Sequence, residues 1–184
     1  MDHHCPWVAN CIGFYNYKYF LNMLFYASAS CIFIFSTSVD LIRTLLRAPN
    51  DEDIVADARI AYFIVTAFML SCIFGAIITG FFIFHIWLII KQFTTIEFCE
   101  KFGSDDKFKT GSPYDLGMAK NFKTLLGENV FLWFLPVKRN LKGKGLFFEV
   151  REDLKQQFKN ENKIDWSFVK YYLVSMDRGF GVLG

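Results

Sequence analysis

The chain has 184 residues, room for about one domain, of which 53% are hydrophobic, 19% aromatic and 21% charged, with a net charge of +2. Such aromatic content excludes a disordered chain, 12 Gly and 4 Pro exclude collagen-like and low-complexity classes, and the near-neutral balance gives no basis for nucleic-acid binding. Five cysteines are too few for a disulfide-stapled scaffold and odd in number, which leaves a very apolar globule or a membrane protein.

The first polar segment, residues 1–18, holds the densest chemistry. Asp2, His3, His4 and Cys5 are consecutive, and Cys11 follows after Pro6-Trp7-Val8-Ala9-Asn10. Cysteine attacks as thiolate, and an ordinary thiol pKa of about 8.5 leaves little of it at neutral pH. An imidazole can take the proton, and a carboxylate can orient and charge-stabilise that imidazole. His and Cys are equally zinc ligands, and His3, His4, Cys5 and Cys11 could be counted as a tetrahedral four, although three consecutive ligands would be strained. Spacing alone leaves a catalytic thiol, a zinc site and coincidence all open. Adjacent side chains do not converge from a helix or a strand, so the spacing predicts an irregular loop here. Pro6 supports it by biasing Cys5 away from helix.

Two charge-free runs follow. Between Lys18 and Asp40 lie 21 residues without Asp, Glu, Lys or Arg, and between Arg59 and Lys91 lie 31. A membrane crossing needs about 20 apolar residues. The pattern predicts spans over 19–39 and 60–84, with His85 and Trp87 emerging into the interface, His85 in a structural role and Trp87 in an aromatic belt. Ser28, Ser30, Ser36, Thr37 and Ser38 in the first run can return their hydrogen bonds to the helix backbone or to a neighbouring helix. Cys31 and Cys72 read as small apolar packing residues.

The connector 40–59 carries three basic residues (Arg43, Arg47, Arg59) against five acids (Asp40, Asp51, Glu52, Asp53, Asp57), whereas residues 91–184 carry sixteen against twelve. The positive-inside rule puts the connector in the lumen and both polar ends, 1–18 and the tail, in the cytosol. In the tail, 103–113 reads as loop, and 115–126 and 163–176 as short helices, the first ended near Gly127. Thr94-x-x-Glu97 matches a helix capping box. Cys99, near the cytosolic surface, is a candidate for lipidation. Aromatic clusters such as Phe131-Leu132-Trp133-Phe134, followed by Lys, suit either a membrane surface or a small domain packed on the spans.

The run Asp2-His3-His4-Cys5-Pro6-Trp7-Val8, with Asn10-Cys11-Ile12-Gly13-Phe14 and Asn16-Tyr17, resembles the motif of the DHHC family of protein S-acyltransferases (palmitoyltransferases). Thr94-Thr95-Ile96-Glu97 resembles that family's TTxE motif. Tyr114-Asp115-Leu116-Gly117, Asn121-Phe122 and Trp133-Phe134-Leu135-Pro136 resemble its C-terminal element, so the likeness covers about residues 1–136.

The resemblance implies an all-α integral membrane protein with two transmembrane helices, an irregular N-terminal DHHC loop and a cytosolic C-terminal tail. Its segments would be 1–18 (partial cysteine-rich segment), 19–39 (span), 40–59 (lumenal loop), 60–84 (span), 85–136 (TTxE and C-terminal element) and 137–184 (tail). Cys5 would be the nucleophile that takes an acyl group from palmitoyl-CoA or a similar long-chain acyl-CoA and passes it to a cytosolic cysteine of a membrane-associated protein. His3 would be the base and Asp2 its orienting partner. Thr95, near Asp2, with Glu97 and Asn121, would support catalysis, Asn121 by docking the tail. His4 and Cys11 would be zinc ligands. Ser28 and Ser30, small residues on the first span, are candidates for lining the acyl cavity. Family members hold two zincs on eight ligands, mostly ahead of the motif, and carry two further spans upstream. The expectation is therefore the C-terminal part of a longer enzyme of Golgi or endoplasmic reticulum, with plasma membrane next. The alternative is a truncated, non-catalytic membrane adaptor. Ala9 stands where Asn is common, which the sequence reads as a minor change.

Overall fold

The computed structural model describes residues 1–47, 54–101, 111–138 and 148–160. The described chain runs β1 (His3–Cys5), β2 (Asn10–Ile12), α1 (Tyr17–Arg47), α2 (Ile54–Lys91), α3 (Thr95–Lys101), α4 (Met118–Leu126) and α5 (Glu152–Asn160), with single 3-10 turns at Pro6–Val8 and Val130–Leu132. It divides into two compact units, Leu21–His85 and the remainder.

Among the described residues the first of these units is helical. It contains most of α1 and α2, packed antiparallel: Phe25 meets Phe82 with ring centroids 5.9 Å apart, and Phe35 stacks on Phe68 at 5.3 Å. Between these contacts Gly75 lets the helices close, since a Cβ there would lie 3.2 Å from Cys31 Cβ. Three helix hydroxyls are satisfied locally: Ser36 donates to the Ile32 carbonyl at 2.8 Å, Thr37 to Phe33 at 3.0 Å and Ser71 to Phe68 at 2.8 Å.

Two stretches, Tyr17–Thr44 and Ala58–Lys91, are long and apolar enough to cross a membrane. A soluble protein would bury such helices, yet Phe33 is 68% exposed, Phe63 64% and Ile77 63%. Apolar side chains left out in this number mark a surface built for a non-aqueous solvent. Both helices outrun the charge-free runs. α1 continues past Val39 through Asp40 and Arg43, which pair at i,i+3 as an exposed helix end allows. α2 passes straight through His85 and Trp87 to Lys91.

The second unit is built on the two polar ends. Its N-terminal part differs from the irregular loop expected there: β1 and β2 form an antiparallel hairpin pairing His3 with Ile12, His4 with Cys11 and Cys5 with Asn10. The expectation rested on adjacent side chains of an Asp, His and Cys triad converging; a strand instead sends alternate residues to opposite faces, so His3 and Cys5 share a face without an irregular loop. Cys5 is extended (φ −105°, ψ 106°), as a residue before proline prefers, and Pro6 opens the 3-10 turn. Ala9 closes that turn with φ 48°, ψ 38°, the left-handed region. A Cβ makes that conformation costly for Ala and less so for Asn, whose side chain compensates locally, so Ala9 is not a minor change.

Asn16 joins the hairpin to α1. Its Oδ1 accepts from the Gly13 amide at 2.7 Å, its Nδ2 donates to the Cys11 carbonyl at 2.8 Å, and its own carbonyl accepts the Phe20 amide at 3.1 Å. α4 begins at Met118, later than the expected 115, because Gly117 has φ 95° and its amide is held by the Asp115 carboxylate at 3.0 Å. It ends at Gly127, φ 101°, as expected. The expected helix at 163–176, and most of the loop at 103–113, lie outside the described residues.

Candidate active site

The hairpin assigns its residues by face. His3 and Cys5, two apart on β1, point the same way, and His4 points the other. Burial follows this alternation: Cys5 is 4% exposed, His3 is partly buried and His4 is exposed. On the inner face stands a carboxylate network. Asp2, 4% exposed, holds His3 Nδ1 with Oδ2 at 2.6 Å. It also accepts two bonds from Thr95, from the backbone amide to Oδ1 at 3.0 Å and from the hydroxyl to Oδ2 at 2.8 Å. A buried carboxylate needs such compensation, and here one imidazole and one threonine 93 positions away supply three hydrogen bonds. In a neutral imidazole the Asp2 contact favours the tautomer with its proton on Nδ1, which leaves Nε2 without one.

The Thr-Thr-x-Glu sequence does two jobs at once. Thr94 and Glu97 form the reciprocal capping box: the Thr94 amide and hydroxyl donate to Glu97 Oε2 at 2.8 and 3.0 Å, and the Glu97 amide donates to Thr94 Oγ1 at 3.2 Å. That box starts α3 and leaves the next residue, Thr95, with its amide and hydroxyl turned to Asp2. Glu97 therefore sits in the cap rather than at Asp2. Asn121, 1% exposed, lies further from the chemistry. Its Nδ2 donates to the Ile90 carbonyl at 3.0 Å and to Asp115 Oδ1 at 2.8 Å, and its Oδ1 accepts the Leu116 amide at 3.1 Å. One side chain thus ties α4 and the Asp115 turn to the end of α2.

On the outer face of the hairpin the cross-strand pair His4 and Cys11 brings Nδ1 and Sγ to 3.6 Å. These are an imidazole and a thiol in contact, both exposed, the donor types zinc takes. They fit two corners of a tetrahedral site. Among the described residues no group of three or more possible ligands is found.

The two serines proposed for an acyl cavity fall on different sides of α1: Ser28 is 5% exposed, and Ser30 is exposed. The sequence reading missed Phe20, whose ring meets His3 edge-on at 5.1 Å and Tyr17 at 6.2 Å. Nothing in a sequence links a helix phenylalanine to a strand histidine. It also missed Lys18, 1% exposed, whose Nζ donates to the Val137 carbonyl at 3.2 Å. Asn16 carried a readable signal, an amide side chain immediately ahead of a long apolar run.

Comparison with known proteins bears on what this arrangement does. The family model described as DHHC palmitoyltransferase matches residues 1–101. The chain is similar to palmitoyltransferase PFA3 of Debaryomyces hansenii, 32% identical over 177 residues, covering 84% of this chain and 43% of that protein. It is 33% identical to palmitoyltransferase ZDHHC15 of Rattus norvegicus over 152 residues, 82% of this chain and 43% of the relative. It is 36% identical to the probable protein S-acyltransferase 14 of Arabidopsis thaliana over 165 residues, 85% of this chain and 50% of the relative. The chain thus spans about half the length, or less, of the curated relatives it matches.

Proposed function

Because the chain belongs to the DHHC palmitoyltransferase family, we propose that it carries the acyl-transfer centre of a protein-cysteine S-palmitoyltransferase. The observation that supports this most is the inner face of the hairpin, where buried Cys5 shares a strand face with His3, and His3 is held by an Asp2 that Thr95 fixes.

In the first half-reaction His3 Nε2 takes the Cys5 thiol proton, and the thiolate sulfur attacks the carbonyl carbon of a long-chain acyl-CoA. The new C–S bond forms as the bond to the coenzyme A sulfur breaks, and that sulfur leaves with the proton from His3. In the second half-reaction a substrate cysteine gives its proton to His3, its sulfur attacks the Cys5 thioester, and the Cys5 sulfur leaves and recovers the proton. One thioester replaces another each time, so the exchange is close to balanced. The site's work is to activate thiols and stabilise the imidazolium that forms, which is the role of Asp2. Burying about fourteen methylenes at about 0.8 kcal/mol each gives ample affinity for the chain of palmitoyl-CoA.

His4 and Cys11 would hold zinc as two of its four ligands, and the metal would stiffen the hairpin from its outer face without entering the chemistry. The two long helices would cross the membrane with both polar ends in the cytosol. The compartment would be Golgi or endoplasmic reticulum, with plasma membrane next. Substrates would be membrane-associated proteins presenting cytosolic cysteines.

The test is self-acylation. The purified chain is incubated with labelled palmitoyl-CoA, and hydroxylamine-sensitive label is measured beside Cys5→Ser. Label lost in Cys5→Ser is expected. Label that persists in that variant would remove Cys5 from the mechanism, and no label in either would favour the non-catalytic adaptor.

A further inference from the structure

The eight residues from Val130 to Val137 present an apolar surface that the acyl-transfer reading does not use. Val130, Leu132, Phe134, Leu135 and Val137 are all exposed, and Phe131 is 90% exposed. The segment is ordered by its own bonds. The Asn129 side chain accepts the Phe131 amide at 3.1 Å, and backbone turns follow from Leu132 to Asn129 and from Trp133 to Val130, each at 3.1 Å. Trp133 faces inward, stacked on Phe122 at 5.7 Å, with its Nε1 donating to the Gly127 carbonyl at 2.8 Å. One aromatic thus anchors the loop, and its neighbours are held outward.

Its position identifies what it meets. Val137 is tied to Lys18, one residue into the first apolar stretch, and α4, which precedes the loop, is tied through Asn121 to Ile90, one residue short of the end of the second. Those residues mark the level at which two membrane-length helices meet water. At the same level Trp87 on α2 packs edge-on to Phe98 on α3, 5.5 Å apart, the amphipathic aromatic type that favours headgroup depth. Charge agrees in the sequence: Lys138 follows Val137 directly, and Arg139, Lys142 and Lys144 come next in the stretch between Glu128 and Glu149. Exposed aromatics beside lysines favour an anionic lipid surface.

We propose that Val130–Val137 is an interfacial anchor that sits in the headgroup–acyl boundary of the leaflet at the start of α1 and the end of α2. It holds the C-terminal element at the membrane surface. The inference rests on the two helices crossing the bilayer and not on the acyl-transfer chemistry.

The test is photo-crosslinking in lipid nanodiscs containing acyl-labelled phosphatidylserine and phosphatidylcholine. The full chain carries p-benzoylphenylalanine in place of Phe131, of Lys120 on the exposed side of α4, or of Phe33 on α1. Label at Phe33 together with label at 131 about fivefold above that at Lys120 is the expected result for an interfacial segment. Label at Phe33 with 131 no higher than Lys120 would overturn the anchor and leave the spans standing. A crosslink from 131 to a second protein chain in place of lipid would also overturn it. Absence of label at Phe33 would overturn the membrane reading and the anchor together.

Discussion

Thr95 gives the most direct way to probe the site, because its hydroxyl bonds to Asp2. Thr95→Val keeps the side-chain volume and the backbone amide bond to Oδ1, and removes only the 2.8 Å hydroxyl bond to Oδ2. A hydrogen bond to a charged group contributes about 1.5–3 kcal/mol, and each 1.4 kcal/mol is about tenfold in rate. The retained amide and His3 continue to hold the carboxylate, so the lower end applies, and self-acylation should slow about tenfold. Thr95→Ser restores the hydroxyl, loses a methyl worth less than about 1 kcal/mol, and should recover most of the rate. The assay is single-turnover labelling of Cys5 by palmitoyl-CoA over a concentration series. The expected pattern is a lower maximal rate with little change in half-saturation. A Val variant within twofold of wild type, or a Ser variant as slow as Val, would refute the role given to this bond.

Ala9→Asn should stabilise the hairpin by about 0.5–1 kcal/mol by relieving the left-handed strain at φ 48°, read as slower amide exchange at Asp2 and Cys5; unchanged exchange would show that the strain is not stored there. Asn121→Ala strands the Ile90 carbonyl and the Leu116 amide and should cost about 2–4 kcal/mol, visible as a lower thermal midpoint in detergent, with Asn121→Gln failing to rescue because the longer side chain misses both partners. Ser30→Phe, on an exposed position, should shorten the preferred acyl chain if that face lines the cavity, whereas Ser28→Phe should overpack a buried site by about 1–3 kcal/mol; an unchanged chain preference in Ser30→Phe removes that residue from the cavity. At the start of α5 a side-chain hydrogen bond from Arg151 holds the Asp153 carboxyl below the ordinary carboxylate range, so this pair supports the helix start at neutral pH and stops doing so as acid carries Asp153 through its lowered pKa; an equal acid response in Asp153→Asn would refute it.

Much of this was legible beforehand, because the signals were local in the chain. Charge-free runs of 21 and 31 residues give two membrane-length helices, since length and apolarity alone decide whether a helix can cross a bilayer. Gly127 ends α4 because a residue with positive φ is needed there. The hairpin was not legible. Three-residue strands carry no periodicity to detect, and the need for adjacent side chains to converge, with Pro6 after Cys5, argued for a loop. Thr95 was placed near Asp2 by the resemblance alone, since its partner lies 93 positions away and a capping-box reading of Thr94 and Glu97 already accounts for the local pattern. Lys18 looked like the polar boundary of a span, yet its ammonium group is buried against a carbonyl of the tail. In each case the missing information was tertiary.

The hairpin also gives the motif a parity. Counting along β1, His3 and Cys5 take the inner face and His4 the outer, so the proposed base and nucleophile share a face only while an even step separates them. Replacing His4 would leave the strand register unchanged and remove a side chain from the outer face, beside Cys11. Adding or deleting one residue between His3 and Cys5 would instead send the thiol to the wrong side of the ribbon with every side chain still present. Within β1 the spacing of the motif therefore counts as well as its residue types, because the count decides which face each side chain takes.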